Sequence, residues 1–588
     1  MNRRKIHYST LDSTVRGIST KVKTLALISL TAILSIPIVP ASTSRTNVSA
    51  ATVASQDQAI VHLLNRITYG PRPGDVERVK EMGVNAFIEE QLHPERIEDS
   101  KITDRVKQFE TLNENTQELY SMQPKELVTE LQQAKVLRAI YSERQLNEVM
   151  VDFWQNHFNV FVGKGADRFL MTAYDRDTIR PHAMGKFKDL LLATAESPAM
   201  LFYLDNWMNS TPNVDYAEVA REVRAERQQN GQMPNPNFPG GINRPVRPGG
   251  GFGGVGGGIG AIRRQQQRQQ QQQKQAQGVL GKNRKLGINE NYAREIMELH
   301  TLGVNGGYTQ KDVIEVAKCL TGWSIRQPRN DGEFVFREGM HEKGDKFVLG
   351  QKINAGGMRD GLQVIDLLAH HPSTAKFIST KLVRRFVSDN PPQSLVDKVA
   401  QTFMSTDGDI RSMLKTIFTS QEFNSPDNYR AKMKTPLEMA ISAVRAVGGE
   451  ATDASAIVRQ VGRMGMPLYQ AQPPTGYPDV AESWINTGLL LERMNFALQL
   501  AANKLPGVSV DVKQLAPGAN PKEPATYTDH LIKEILHGSV SQQTMVALNK
   551  PMPQLTSTRF DGNGTVADNA PLVKTVALLL GSPEFQRR

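Results

Sequence analysis

The chain has 588 residues, 39% hydrophobic and 22% charged, which excludes an intrinsically disordered chain, a coiled-coil rod and a multi-span membrane protein and suggests about three or four domains. A single cysteine, Cys319, excludes an internal disulfide framework and a zinc site built on several thiolates. The net charge of +10 is uneven: residues 1–41 carry +5 and residues 228–285 carry +9, leaving the rest at −4, so the basic balance belongs to a leader and an insert rather than to a nucleic-acid-binding body.

In the leader, Lys21 and Lys23 precede an uncharged stretch, TLALISLTAILSIPIVPA (24–41). It reads as a signal-peptide core rather than a retained anchor, because Pro37 and Pro40 break the helix where a peptidase needs extended chain. Val39-Pro40-Ala41 and Val48-Ser49-Ala50 both fit the small-residue cleavage rule, so the mature protein is expected to start near residue 42 or 51. Arg3-Arg4 has twin-arginine character but lies far from the apolar core. The expectation is export, periplasmic or extracellular, with 42–56 as an exposed linker and no stable membrane span after processing.

Residues 57–227 read as an N-terminal helical half. The run 126–160 is too long and periodic for strands and reads as helical, with Leu146, Met150, Phe153 and His157 as an apolar stripe and Glu148, Asp152 and Asn156 as an adjacent polar row. His157 sits among aromatics in FWQNHF, where Asn156 or a facing carboxylate is expected to satisfy it. Ser197-Pro198 has the form of an N-cap with proline at the first helical position.

The insert at 228–285 holds 14 of the 46 glycines, a glutamine run and no acid, so it is expected to be disordered. A basic arm for anionic wall polymers or nucleic acid is the functional reading of it. Expansion of a surface loop is the plainer one and the one favoured here.

Residues 286–503 form the second half. A helix is expected over 289–302, ended by Gly303, and Thr309 with Asp312 has capping-box spacing before the buried face Val313, Val316, Ala317 and Leu320. Cys319 on that helix reads as a small packed residue. The run 333–353 alternates like a strand pair around a turn at Gly344. Helices are expected near 373–387, 394–406, 434–447 and 483–503, and one at 568–580 within a C-terminal helical extension, 504–588. The fold class is therefore mainly α, a multi-helix globular body with one small β-hairpin and a long disordered insert.

The densest cluster of reactive side chains is GINENYAREIMELHTLGVNGGYTQKDV (287–313). Asn291, Glu295 and Glu298 are spaced i, i+4, i+7 on one face, with Arg294 beside it and Tyr292, Ile296 and Leu299 as the packing side. Two carboxylates at i, i+3 suit a divalent cation or an acid/base pair, and equally a solvated face with Arg294 as partner. His300 reads as a histidine near a helix C-terminus, where the dipole favours it. His341, beside Asp345 and Lys346, reads as a solvated turn residue. No H-E-x-x-H, G-x-S-x-G or P-loop occurs, and the glycine-rich run at 249–260 follows no strand.

Eight segments taken in order resemble a known family: LLNRITYGPRPGDVERV (63–79), FWQNHF (153–158), SPAMLFYLDN (197–206), NENYAREIMELHTLGVNGGYTQKDV (289–313), LTGW (320–323), HEKGDKFVLG (341–350), HPSTAKFISTKLVRRFVSDNPP (371–392) and PPTGYPDVAESWINTGLLLERMNFA (473–497). The family is the bacterial domain-of-unknown-function family number 1800, and the resemblance runs from about residue 57 to 503. It departs at 213–285, where the family has a short connection. The resemblance implies a largely exported, mostly helical protein without an established activity. It also implies a partner, an exported protein of family number 1501, which resembles the alkaline phosphatase and sulfatase superfamily.

The resulting expectation is one composite polar site. Glu295 and Glu298 serve as ligands of a divalent metal ion or as acid/base groups, with His157, His300 and His341 as third partners. Asn289, Asn291 and Asp312 orient substrate, and Arg294 binds an anionic group or pairs with Glu298. The expected activity is hydrolytic or metal-assisted, on polymer or envelope material. The alternatives are a non-catalytic binding or assembly protein working with a hydrolase-like partner, and a nucleic-acid or anionic-polymer binder acting through the insert.

Overall fold

The computed structural model describes residues 56–229, 287–328, 330–520, 523–538, 540–550 and 570–588. The leader with both cleavage motifs lies outside them, as does the insert beyond the two residues that end the helix Tyr216–Gln229. The described residues form one unit, built of helix packed on helix. Among the described residues no helix is long and apolar enough to cross a membrane.

Helix α1 (Gln56–Ile67) buries Ile60, Leu63, Leu64 and Ile67 and sends Arg66 inward. Helix α2 (Pro124–Tyr141) has proline in its first turn, and α3 (Gln145–His157) follows after three residues. The helical run expected over 126–160 is therefore divided into two helices. Ser142-Glu143-Arg144 contains no helix breaker; tertiary partners impose the break. Asp99 accepts from Ser142 Oγ at 2.7 Å and from the Glu143 amide at 2.8 Å, and Arg144 donates to the Ile97 carbonyl. The stripe Leu146, Met150, Phe153, His157 is buried as its spacing requires. Its polar neighbours turn inward too: Glu148 meets Arg180 at 2.8 Å and Asp152 meets Lys135 at 2.6 Å. Ser197 is the N-cap of Pro198–Tyr203, but its side chain makes no capping bond and the helix is only six residues long.

Helix α4 (Asn291–Glu295) passes directly into a π-helical turn, Ile296–Thr301. Gly303 ends it with φ +81, a conformation glycine adopts without penalty. Helix α5 (Gln310–Cys319) carries the Thr309/Asp312 capping box and buries Val313, Val316 and Ala317, with Leu320 buried just beyond it. Cys319 is fully buried, which pushes its thiol up to about 12.

The strand pair expected over 333–353 is split between two hairpins. Strand β1 (Trp323–Arg326) pairs antiparallel with β2 (Glu333–Phe336), and β3 (Lys346–Val348) with β4 (Gln351–Ile353). The tight turn is Leu349-Gly350, both at positive φ as a two-residue hairpin turn of this hand requires, whereas Gly344 only bends the chain between the hairpins. Alternation reveals strands but not which strands pair.

Helix α6 (Pro372–Phe386) is followed by the helices Gln393–Ser405 and Ile410–Phe418 and by α7 (Pro436–Ala446), all of whose residues are buried. A helix apolar nearly all round belongs in a core. Its one carboxylate, Glu438, takes Arg385 of α6 and, at 3.3 Å, Arg588. Despite the cost of burial, these two guanidinium groups bring Glu438 down to about 2. Beyond the short strand β5 (Glu450–Ala451), α8 (Thr487–Ala501) leads to β6 (Val508–Ser509), which pairs with β5, and α9 (Ala570–Gly581) packs along α8. Between Leu468 and α8 the chain is mostly irregular, and this loop forms one wall of the site.

Candidate active site

Residues 469–484 hold their shape because Asn156 of the FWQNHF segment and Asn159 just after it clamp them. Asn156 donates to the Tyr477 carbonyl and accepts from the Tyr477 amide, both at 2.7 Å. Asn159 donates to the carbonyls of Ala471 and Pro473, both at 2.9 Å. Gly476 (φ +69) lies so close that a Cβ there would stand 2.3 Å from the Asn156 carbonyl oxygen. Any side chain at 476 would push the loop off α3.

Between this loop, the last turn of α3 and α6 lies a cleft of about 270 Å³. Its chemistry centres on His157 and Lys381. The imidazole Nε2 lies 3.1 Å from the His300 carbonyl oxygen, which can only accept, so Nε2 carries the proton. Nδ1 is therefore the acceptor, and the Lys381 amine donates to it at 2.9 Å. Burial, then the nearby Lys381 and His300, hold the His157 pKa well below the usual range, so the ring stays neutral. Burial, reinforced by Arg384, brings Lys381 down to about 8.

The other charges around the cleft are mostly spoken for. Asp152 is paired with Lys135, Arg385 with Glu438, and Asp479 lies 3.5 Å from Lys432. Lys381 and Arg384 have no carboxylate within ion-pair distance among the described residues; Arg384 donates only to the Asp389 carbonyl, at 3.4 Å. Tyr477 and Trp484 form an aromatic side of the same cleft. The arrangement offers a proton-transfer pair, a surplus of positive charge and an aromatic wall whose two rings are tilted 54° to one another.

Of the candidate site residues expected from the sequence, only His157 lines this cleft, together with Phe153 of its apolar stripe and Asp152 and Asn156 of the polar row. Its partners are Lys381 and the His300 carbonyl rather than Asn156 or a carboxylate. His300 does lie in the last helical turn, but it is buried behind His157, ring centroids 6.1 Å apart, and burial followed by Lys381 lowers it to about 3. Tyr292, Ile296 and His300 follow one another at i+4 on the buried side, with Leu299 left only half-buried. His341 is not a solvated turn residue either. It is 3% exposed, bound to the Thr321 carbonyl at 2.8 Å and to Asp360 at 3.0 Å, and Lys346 reaches the same Asp360 oxygen at 2.6 Å.

The α4 face has a different character. Arg294 pairs with Glu290 at 3.2 Å and Gln310 at 2.8 Å, not with Glu298. Glu298 accepts from the Tyr308 hydroxyl at 3.0 Å. Glu295 is half-buried, and burial followed by Glu298 raises its pKa. Asn289 and Asn291 fasten the start of the helix to the carbonyls of Asp205 and Leu204. Asp312 is saturated by Thr309 and by the Leu349 amide at 2.7 Å, which positions the β3–β4 turn. Among the described residues no three His, Cys, Asp or Glu side chains converge as a metal ligand set would.

Sequence reading missed Lys381, Arg384, Tyr477 and Trp484, although all four lie in segments already noted. The available signal was Lys381 itself, a lysine flanked on its helix by the buried Ile378, Leu382 and Val383.

Residues 62–587 match the family model described as "Protein of unknown function (DUF1800)", and the chain belongs to that family. No curated protein and no solved structure matches it.

Proposed function

We propose that this member of the family is an exported hydrolytic enzyme of the acid–base kind, acting on an anionic polymer of the cell envelope, with the His157–Lys381 cleft as its active site. One observation carries the reading. A lysine amine held near pH 8 donates to an imidazole whose other nitrogen is committed to a backbone carbonyl, and both groups line a cleft. A general base works best when its pKa lies near the working pH. Above about pH 8 Lys381 is a free amine that takes a proton from water or from a substrate hydroxyl, while His157 fixes its position. Arg384 holds the anionic group of the substrate, and Tyr477 and Trp484 offer a surface for a sugar ring. The apolar leader at 24–41 supports export. In this scheme Glu295 and Glu298 stand outside the chemistry.

Two measurements test it. Modification of Lys381 by an amine-reactive reagent, followed by peptide mass spectrometry, has its midpoint near pH 8 rather than the ordinary 10.5. The mature protein releases fragments from peptidoglycan, polyuronate or sulfated polysaccharide at a rate that rises through pH 8, and Lys381→Met loses that release while still melting cooperatively. A Lys381→Met variant as active as the parent refutes the assignment.

The alternative of a binding protein serving an exported hydrolase-like partner has one observation in its favour. Leu491 and Leu498 are 41% and 52% exposed, seven residues apart on α8 and so on one face, with exposed Ile485 just before that helix. Loss of partner capture in Leu491→Glu/Leu498→Glu, with polymer release unaffected, identifies that role.

A further inference from the structure

Lys346 opens β3, Asp360 sits in the first turn of the helix Arg359–Ala369, and His341 follows the short turn Glu338–Met340. None of the three is more than 3% exposed. The Lys346 amine lies 2.6 Å from Asp360 Oδ2. The His341 ring touches both partners, with Nε2 3.0 Å from that same oxygen and 3.3 Å from the amine. Apolar rings close the surroundings. Phe336 stands edge-on to His341, centroids 5.4 Å apart, and Trp323 packs so tightly on Gly361 that a Cβ there would fall 2.4 Å from the indole.

The hydrogen bonds fix where protons can go. His341 Nδ1 lies 2.8 Å from the Thr321 carbonyl oxygen, an obligate acceptor, so Nδ1 carries the ring proton and Nε2 keeps its lone pair. Nε2 and an ionised Oδ2 would then be two acceptors at 3.0 Å, so a further proton belongs between them. Passing that proton from Lys346 leaves a free amine beside a carboxylic acid, a neutral pair that exclusion of water favours over its charged form. Asp360 Oδ1 is buried with no hydrogen-bond partner. That position is costly for a carboxylate and much less so for an uncharged carbonyl.

We infer that Lys346 and Asp360 are joined by an isopeptide bond. The Nζ lone pair forms a C–N bond to Asp360 Cγ, and the Cγ–Oδ2 bond breaks. His341 Nε2 takes a proton from the attacking nitrogen and returns it to Oδ2, which leaves as water, while Oδ1 stays as the amide oxygen. An amine and a carboxylic acid thus give an amide and one water, with nothing oxidised or reduced. The two residues are 14 apart in the chain, so the bond ties the β3–β4 hairpin to the helix that follows it. It is a covalent staple in a chain whose single cysteine can form no internal disulfide. The inference does not depend on the role given to the His157–Lys381 cleft.

Tryptic peptide mapping of the mature chain, unfolded in denaturant before digestion, tests the bond, because an ion pair does not survive unfolding and an amide does. Trypsin cannot cleave after an acylated lysine, so 344–352 stays whole and carries 360–376 as a branch, at the sum of their masses less one water. Asp360→Ala and Lys346→Arg each yield separate linear peptides. Asp360→Asn yields the same branched mass, with ammonia leaving in place of water. In His341→Phe the branched fraction, followed from synthesis onward, grows about a hundredfold more slowly; an unchanged rate overturns the part given to His341. Recovery of 347–352 and 360–376 from the parent as separate peptides, with no branched species, overturns the inference. That map needs no variant, so it decides the matter even where a substituted chain fails to fold.

Discussion

The carboxylate face of α4 and the His157–Lys381 cleft both gather reactive side chains, but they do so in opposite ways. Glu295, Glu298 and Arg294 are neighbours along one helix, and their contacts stay local: Arg294 with Glu290 and Gln310, Glu298 with Tyr308. Lys381 and His157 are 224 residues apart and meet only because α3 and α6 pack together. Closeness along a helix concentrates charge, but water screens it. Burial without a carboxylate partner is what moves an amine toward neutrality. The contrast teaches that desolvation, more than spacing, is what shifts a titrating group furthest in this fold.

The sharpest way to break the contrast is to remove a buried partner. Glu438→Gln strands Arg385 and Arg588 beside the cleft and should cost about 3–5 kcal/mol, read from urea unfolding. The Glu438 pKa is near 2 when folded against 4.5 unfolded, so its contribution is fully present above pH 4.5 and is lost as pH falls toward 2.

Lys381→Met tests the cleft directly. The lysine titrates near 8 in the folded protein and near 10.5 unfolded, so between these values the unfolded chain binds more protons and the parent gains stability as pH rises. The stability advantage of Lys381→Met over the parent should therefore shrink by up to about 3 kcal/mol from pH 8 to 10.5.

His300 offers an acid counterpart. With a folded value near 3 against 6.5, it costs stability as pH falls below 6.5. His300→Phe should cancel about 2 kcal/mol of the loss between pH 6.5 and 5, seen in melts at the two pH values.

The smallest effect belongs to the α4 face. Glu295→Gln/Glu298→Gln should change stability by less than about 1 kcal/mol and leave polymer release intact. Loss of release in that double variant would return the chemistry to α4.

Much of the fold could be read one helix at a time. The capping box at Thr309, the stop at Gly303 and the stripe through His157 all rest on contacts within a few residues, where periodicity and turn chemistry suffice. The break after Tyr141 could not be read, because its cause is Asp99, more than 40 residues away. Nor could the pairing of β2 with β1, since alternation is the same whichever neighbour a strand takes.

The site divides along the same line. Sequence alone placed a histidine on an apolar stripe and required that its ring be satisfied. It equally showed that Arg294, Glu295 and Glu298 lie within about one turn of one another. Only the packing of α3 against α6 and the clamped loop decided that the partner of His157 is Lys381, that His300 lies buried behind it, and that His341 belongs to a separate buried network with Asp360 and Lys346. The physical reason is that an amine's affinity for its proton depends on how much water and countercharge surround it, and those surroundings are assembled from segments hundreds of residues apart.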